Sequence, residues 1–201
     1  TVEGAVWLDQ LNLAGDGQDD LKNHGGPFRA VLAYSAEHYP VWRQEYERDF
    51  AYGAFGENFT ISSLDEDTIF LGDVYQVGEA LLQVTQPRMP CYKLARRNSL
   101  KDLTARVDEK AWGGWYHRVL QAGYVEAGQP VTLIERPYPQ FAISHLYALM
   151  NQWLDTPEDS AMLAEITSTE PINVSRTSPE AEEPVIDKSS MVTLVLVRLL
   201  N

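Results

Sequence analysis

The chain has 201 residues, which is long enough for one domain with an appendage or for two small domains. Hydrophobic residues make up 44% of it and charged residues 22%, a composition typical of a globular protein with a sizeable core. Its formal net charge of -13 argues against binding along a nucleic-acid backbone, which requires clustered lysine and arginine. No apolar run is long enough to span a bilayer and no signal-peptide pattern opens the chain, so we expect a cytoplasmic protein.

Strands dominate the predicted elements in the first half of the chain. Short apolar or alternating runs predict strands, and the helical spacing of Tyr39, Trp42 and Tyr46 predicts one helix among them. We interpret Asp65-Glu66-Asp67 as a solvated acidic turn. In chain order the predicted elements are a strand at 30–34, a helix at 37–50, and strands at 59–62, 68–77 and 80–85.

Helical spacing is more frequent in the second half, and composition shifts after 136–139, which predicts a domain boundary there. We therefore divide the chain into a first domain at 1–136 and a small helical region at 141–201. The predicted elements are a helical turn at 92–97, a helix at 100–107, an aromatic turn at 112–120 that leads into another helix, a turn-rich connector at 123–130, a strand at 131–135, helices at 141–154 and 157–166, a flexible stretch at 167–187, and a strand or helix at 191–200.

The chain has a single cysteine, Cys91, in the stretch Gln86-Pro87-Arg88-Met89-Pro90-Cys91-Tyr92-Lys93-Leu94. One cysteine cannot form an internal disulfide or hold an iron–sulfur cluster. Arg88 and Lys93 bring positive charge to the thiol, and positive charge favours the thiolate that attacks substrates or binds a soft metal. The alternative is an inert buried cysteine that acts as a small hydrophobe.

Two glycine-containing loops provide further candidate site residues. In Lys22-Asn23-His24-Gly25-Gly26-Pro27-Phe28-Arg29, the paired glycines allow backbone N–H groups to approach an anion, and Lys22, His24 and Arg29 add side-chain donors. In Gly53-Ala54-Phe55-Gly56-Glu57-Asn58, the last two residues lie where a strand begins and could hold a polar ligand. A tight turn and a capped turn are the respective structural alternatives. For His38, His117 and Arg118 we favour packed or solvated roles.

Taken together, these motifs resemble the MOSC domain, named for the C-terminal domain of molybdenum cofactor sulfurases, and in particular its YiiM-like branch. The resemblance covers about residues 1–136 and includes Leu71-Gly72-Asp73 and Gly78-Glu79-Ala80 in the same order. It implies a mixed α/β, mainly β fold: a β-barrel with surrounding helices, followed by a small α-helical region. Phe28 departs from the pattern, which has an aspartate at that position, so we assign no site role to residue 28.

The resemblance also implies a pyranopterin molybdenum cofactor with Cys91 as the metal ligand and catalytic residue. Lys22, His24, Gly25, Gly26, Arg29, Asn58 and Arg88 would bind the rest of the cofactor. The family is associated with pyridoxal phosphate binding as well. These expectations lead to an oxidoreductase that reduces N-hydroxylated compounds, such as hydroxylamino bases and amidoximes. The alternative is a binding module that carries sulfur or the cofactor without turnover.

The expected partners follow from that chemistry. No flavin or iron–sulfur motif is present, so two electrons would come from a separate reductase, and an acidic surface could help to dock it. We expect a small-molecule substrate and no binding to nucleic acid or membranes. The sequence leaves the oligomeric state open, with a homodimer among the options.

Overall fold

In a computed structural model of the chain, the described residues are 3–16, 26–151 and 194–196. Strands outnumber helices in these ranges, and a single 3₁₀ turn covers Pro27–Arg29. The strands are β1 (Val6–Leu8), β2 (Val31–Ser35), β3 (Phe59–Ile61), β4 (Val74–Val77), β5 (Ala80–Pro87), β6 (Trp115–Gln121), β7 (Gly123–Val125), β8 (Val131–Glu135) and β9 (Leu194–Leu196). The α-helices are α1 (His38–Glu45), α2 (Tyr92–Asn98), α3 (Leu103–Glu109) and α4 (Ile143–Met150).

Seven strands form one curled sheet in the order β8-β4-β5-β6-β2-β3-β9. Its neighbouring strands are antiparallel except for β2 and β3, which are parallel and are connected through α1. A helical connection is the usual way to join two parallel strands, because the chain must return to the same end of the sheet. Strands β1 and β7 form a separate two-stranded ribbon. The predicted mixed, mainly β, barrel-like fold is thereby confirmed, with the sheet curled as a half-barrel.

Two hydrophobic clusters stabilise this arrangement. The larger cluster contains residues of the sheet together with Phe141, Ile143, Leu146 and Leu149 at and within α4. The smaller cluster is largely aromatic and joins α1, α2 and α3; its buried members are Tyr34, Tyr39, Trp42, Phe50, Phe55, Leu94, Leu103 and Val107. Through Leu94, the helix that follows Cys91 is packed into this aromatic cluster.

Most of the predicted elements are confirmed with shifted ends, but the aromatic turn at 112–120 leads into a strand, so the helix predicted to follow it is wrong. Residues 115–121 form β6, which pairs with β2 on one side and with β5 on the other. Trp115 and Val119 belong to the main hydrophobic cluster and His117 is buried. This alternation is a strand signal, and pairing with two neighbouring strands outweighed the local helical spacing.

Two strand boundaries also differ from the prediction. Residues 68–73 form turns and an isolated bridge, so the strand predicted at 68–77 begins only at Val74. The connector predicted at 123–130 contains β7. The predicted helix at 157–166 and the predicted flexible stretch at 167–187 lie outside the described residues. Residues 194–196 form a strand that pairs with β3, while the division at 136–141 stays a prediction.

Candidate functional site

Cys91 lies in the loop between β5 and α2 and is partly buried. Its backbone is extended (φ -120°, ψ 165°), and it is the N-cap residue of α2. The Cys91 carbonyl accepts hydrogen bonds from the Leu94 amide at 3.0 Å and from the Thr104 hydroxyl at 3.1 Å. These contacts to α2 and α3 fix the backbone of Cys91. The residue is half-buried, so the fully buried cysteine of the alternative interpretation is not observed.

Arg88 lies three residues before Cys91, and its side chain is unusual for an arginine. Only 8% of the residue is exposed, and Nη1 of its guanidinium has no hydrogen-bond partner within the described ranges. Burial raises the pKa of Tyr34 and of Tyr147, and the positive charge of Arg88 opposes both rises. The guanidinium therefore acts on both phenols. A buried cation with an unused donor is a strong candidate for binding an anionic group.

The backbone of Arg88 is fixed by the residues that precede β6. The Arg88 amide donates to the Gly114 carbonyl at 2.9 Å. A Cβ atom on Gly113 would lie 1.9 Å from the Arg88 carbonyl oxygen, so only glycine fits at that position without a shift of the backbone. Gly114 has a φ of +79°, a conformation that favours glycine. The sequence analysis did not identify Gly113 and Gly114 as part of the site, although their pairing is a turn signal.

A buried carboxylate, Glu66, holds the Gly114 backbone from the other side. One Glu66 oxygen accepts a hydrogen bond from the Gly114 amide at 2.8 Å, and the other lies 2.7 Å from Nε2 of His38. Trp112 stacks on the His38 ring with 4.0 Å between ring centroids. Glu66 is 3% exposed, so its interpretation as part of a solvated turn is wrong, while the packed role favoured for His38 is confirmed.

A small cleft opens beside this pair. It encloses about 60 Å³, a volume that suits water-sized molecules. Asp65 beside it is engaged locally, because its side chain accepts hydrogen bonds from Thr68 and from the Asp67 amide. Lys110 is paired with Glu45 at 2.8 Å. The lining residues are His38, Asp65, Glu66, Asp67, Lys110, Ala111, Trp112 and Ser144.

The carboxyl end of the first glycine loop lies over β5 and β6. Gly26 has a φ of +101°. The Thr85 hydroxyl donates to the Phe28 carbonyl at 2.7 Å, and the Arg29 guanidinium lies 5.8 Å from the centre of the Tyr116 ring. This end of the loop is thus attached to the part of the sheet that leads into the Cys91 loop. Lys22, His24 and Gly25 lie outside the described residues.

Asn58 connects Asp16 to the sheet. Its side-chain oxygen accepts from the Leu32 amide at 2.9 Å, and its side-chain nitrogen donates to the Asp16 carboxylate at 2.7 Å. Asp16 directly precedes the residues outside the described ranges. Asn58 therefore has a structural role at the edge of β2 in addition to the cofactor contact predicted for it.

Glu57, next to Asn58, is fully buried and caps the second glycine loop. It accepts hydrogen bonds from the amides of Gly53 and Phe55 and from the hydroxyls of Tyr39 and Thr60. Burial raises the pKa of Glu57, while the donated hydrogen bonds oppose that rise. Glu57 therefore caps a turn, as in the structural alternative, because its carboxylate oxygens accept hydrogen bonds from amides of the loop itself.

Comparison with known families identifies the class of protein. The profile of the MOSC domain matches residues 20–132, which are more than half of the chain. The chain belongs to the MOSC domain family. This match includes the loops and the cysteine on which the resemblance was based.

Individual relatives of this MOSC domain agree with that result. YflK of Bacillus subtilis is 45% identical over 135 residues, covering 67% of this chain and 61% of YflK. A Gibberella moniliformis protein named reductase is 34% identical over 145 residues, covering 70% of this chain but only 26% of that protein. The crystal structure of YiiM from Geobacillus stearothermophilus superposes with a TM-score of 0.71 at 36% identity, covering 81% of this chain and 77% of that one. The matches thus span less than two thirds of the length of YflK and of the fungal reductase.

Within the described part of the MOSC domain, the predicted site residues fall into two groups. Arg88 and Cys91 share one loop, Gly26 and Arg29 lie at the described end of the glycine loop, and Asn58 contacts Asp16. Their roles towards a cofactor stay predictions. Among the described residues no three His, Cys, Asp or Glu side chains converge as a metal site. The helices in those ranges are too short or too polar to cross a bilayer.

Proposed function

We propose that this MOSC domain binds a pyranopterin molybdenum cofactor and reduces N-hydroxylated compounds with electrons from a separate reductase. The observation that carries the proposal is the buried Arg88 guanidinium, whose Nη1 has no hydrogen-bond partner among the described residues and which lies three residues before the half-buried Cys91. The similarity to YiiM and to a fungal protein named reductase supports an oxidoreductase role.

The residues present fit such a cofactor. A pyranopterin carries phosphate, and a buried arginine with an unused N–H group provides a charge-assisted donor for an anionic oxygen. Arg29, at the attached end of the glycine loop, would provide a second cation. The Cys91 thiolate would be the protein's ligand to molybdenum, because a soft thiolate donates strongly to such metals. The bound cofactor would supply two-electron chemistry and accept the oxygen of the substrate.

The residues of this chain would hold the cofactor and fix the positions of Cys91 and Arg88 towards it. Leu94 and Thr104 fix the carbonyl of Cys91, so its side chain starts from a defined position. The contacts of Gly113 and Gly114 fix the Arg88 backbone in the same way. The net reaction converts R–NHOH, two protons and two electrons to R–NH₂ and water. The N–O bond breaks, the nitrogen is reduced, and the separate reductase is oxidised by two electrons.

The test uses the full chain expressed in a host that synthesises the cofactor. We expect molybdenum to co-purify in an amount close to that of the chain, and 6-N-hydroxylaminopurine to be converted to adenine with reduced methyl viologen as the electron source. Cys91→Ser should remain folded and lose most of the molybdenum and of the activity. Arg88→Gln should lower the cofactor content as well, whereas Ser99→Ala, in the exposed turn after α2, should match the wild type.

Two results would overturn the proposal. One is a wild-type protein with full molybdenum content that forms no amine product. The other is a persulfide on Cys91 in protein without molybdenum, seen by mass spectrometry, which would favour a sulfur carrier.

A further inference from the structure

The charges around Cys91 differ in sign from those of the protein as a whole. The chain has 29 acidic residues and 16 Lys and Arg residues. The segment from Ala80 to Lys101 nevertheless contains no Asp or Glu, and it contains the cations Arg88, Lys93, Arg96, Arg97 and Lys101. A strongly acidic protein therefore has a basic segment on both sides of its cysteine.

Helix α2 presents much of this charge to solvent on one side. Tyr92 is 69% exposed, and Lys93, Arg96 and Arg97 are also exposed. These four residues occupy positions i, i+1, i+4 and i+5 and so lie on one face of the helix. Leu94 and Asn98 are buried on the opposite side. We refer to Tyr92, Lys93, Arg96 and Arg97 as the α2 face.

The arginines of the α2 face are not neutralised by acidic neighbours. Among the described residues, neither Arg96 nor Arg97 forms an ion pair. Several cations elsewhere do: Arg106 pairs with Glu109, Lys110 pairs with Glu45, and Arg136 pairs with Asp73. Within the described ranges, the charges of Arg96 and Arg97 therefore stay available for a binding partner.

We propose that the α2 face is the docking surface for the electron donor, and that this donor is a protein with an acidic surface around its redox centre. The inference rests on the proposed function. Since α2 begins directly after Cys91, a protein bound to this face comes close to the metal that Cys91 would hold. Electron transfer slows steeply with distance, so proximity to this residue is what a donor needs.

The composition of the face suits a transient redox complex. Opposite charges steer the encounter of two proteins and accelerate association, while the contact area of such complexes remains small. The exposed Tyr92 ring supplies an aromatic contact at the N-terminal edge of the charged residues, and aromatic residues often dominate binding. From the sequence we expected the acidic surface of this chain to dock the donor. Because the residues beside Cys91 are basic, we instead expect the acidic surface to belong to the electron donor.

The experiment compares two electron sources on the cofactor-loaded full chain. Reduced flavodoxin, an acidic protein, supplies one electron per molecule, so two are oxidised per substrate; reduced methyl viologen is the small-molecule source. The substrate is the neutral base 6-N-hydroxylaminopurine. In the variant Arg96→Glu/Arg97→Glu we expect kcat/KM for flavodoxin to fall by about tenfold or more. The rate with methyl viologen and the molybdenum content should stay within about twofold of wild type.

The variant Arg96→Lys/Arg97→Lys is the matched control. It keeps both charges, so it should retain most of the flavodoxin-driven rate, and raising the salt concentration should slow this variant and the wild type more than the glutamate variant. Equal flavodoxin kinetics in wild type and the glutamate variant would overturn the docking surface while leaving the proposed function intact. A similar loss with both electron sources would also overturn it, because the α2 face would then act on the substrate. No product with methyl viologen in the wild type would instead reject the proposed function.

Discussion

Gly113 lies so close to Arg88 that a Cβ atom on residue 113 would fall 1.9 Å from the Arg88 carbonyl oxygen. The Arg88 amide in turn donates to the Gly114 carbonyl at 2.9 Å. The peptide groups on both sides of the Arg88 side chain are therefore held by the residues that precede β6. This contact couples the end of one central strand to the loop that carries Cys91.

Replacing Gly113 with alanine should disturb this loop. Because the nearest atoms belong to the backbone, we expect Gly113→Ala to lower the unfolding free energy by about 3 kcal/mol, at the upper end of overpacking costs. Urea unfolding measures that loss, and cofactor content should decrease with it. Gly128→Ala is the control, since its Cβ would meet nothing within 4 Å and only its φ of +87° imposes strain, about 1 kcal/mol. Equal unfolding free energies of Gly113→Ala and Gly128→Ala would show that residue 113 does not lie so close to the Arg88 carbonyl.

Glu66 should be the stabilising residue of the acidic turn. Glu66→Ala removes the acceptor for Gly114 and the partner of His38, and losing one member of a buried pair costs about 3 to 5 kcal/mol. Glu66→Gln should cost less, since its side-chain oxygen can still accept from the Gly114 amide. The exposed neighbour Asp67 provides the control: Asp67→Ala should stay within about 0.5 kcal/mol of wild type by urea unfolding. A Glu66→Ala protein as stable as Asp67→Ala would exclude this role.

The sequence revealed what local patterns determine and missed what depends on distant partners. The prolines and cations around Cys91 identify its loop, and the alternation in β5 identifies a strand, because both signals lie within a few residues. The role of Glu66 depends on His38, 28 residues before it, and on Gly114, 48 residues after it. Nothing in an acidic tripeptide indicates such contacts. The β6 strand was missed for a related reason, since its pairing with β2 and β5 is long-range.

Asn58 should affect the site through the glycine loop that it attaches. Asn58→Ala leaves the buried Leu32 amide without its acceptor, which costs about 1 to 3 kcal/mol, and releases Asp16. Asn58→Asp keeps an acceptor for Leu32 but places a second carboxylate against Asp16. We therefore expect both variants to lose cofactor, measured as molybdenum per chain. Wild-type cofactor content in both variants would show that this attachment is unimportant for binding.

His117 should make the stability of the protein depend on pH. Burial lowers the pKa of His117 from 6.5 to about 4, and its Nδ1 atom has no hydrogen-bond partner within the described ranges. Between these two pH values the unfolded chain binds more protons at this residue than the folded chain does. Stability from this group is therefore complete above pH 6.5 and is lost as the pH falls towards 4.

The expected loss from His117 between pH 7 and pH 5 is about 2 kcal/mol, taken from urea unfolding at the two pH values. His117→Phe keeps a buried ring without a titrating group, so its unfolding free energy should change by about 2 kcal/mol less over that interval. Tyr116→Phe, at the neighbouring position in β6, should retain the wild-type pH dependence. A His117→Phe protein that keeps the full wild-type slope would show that His117 is not the residue that binds the proton on unfolding.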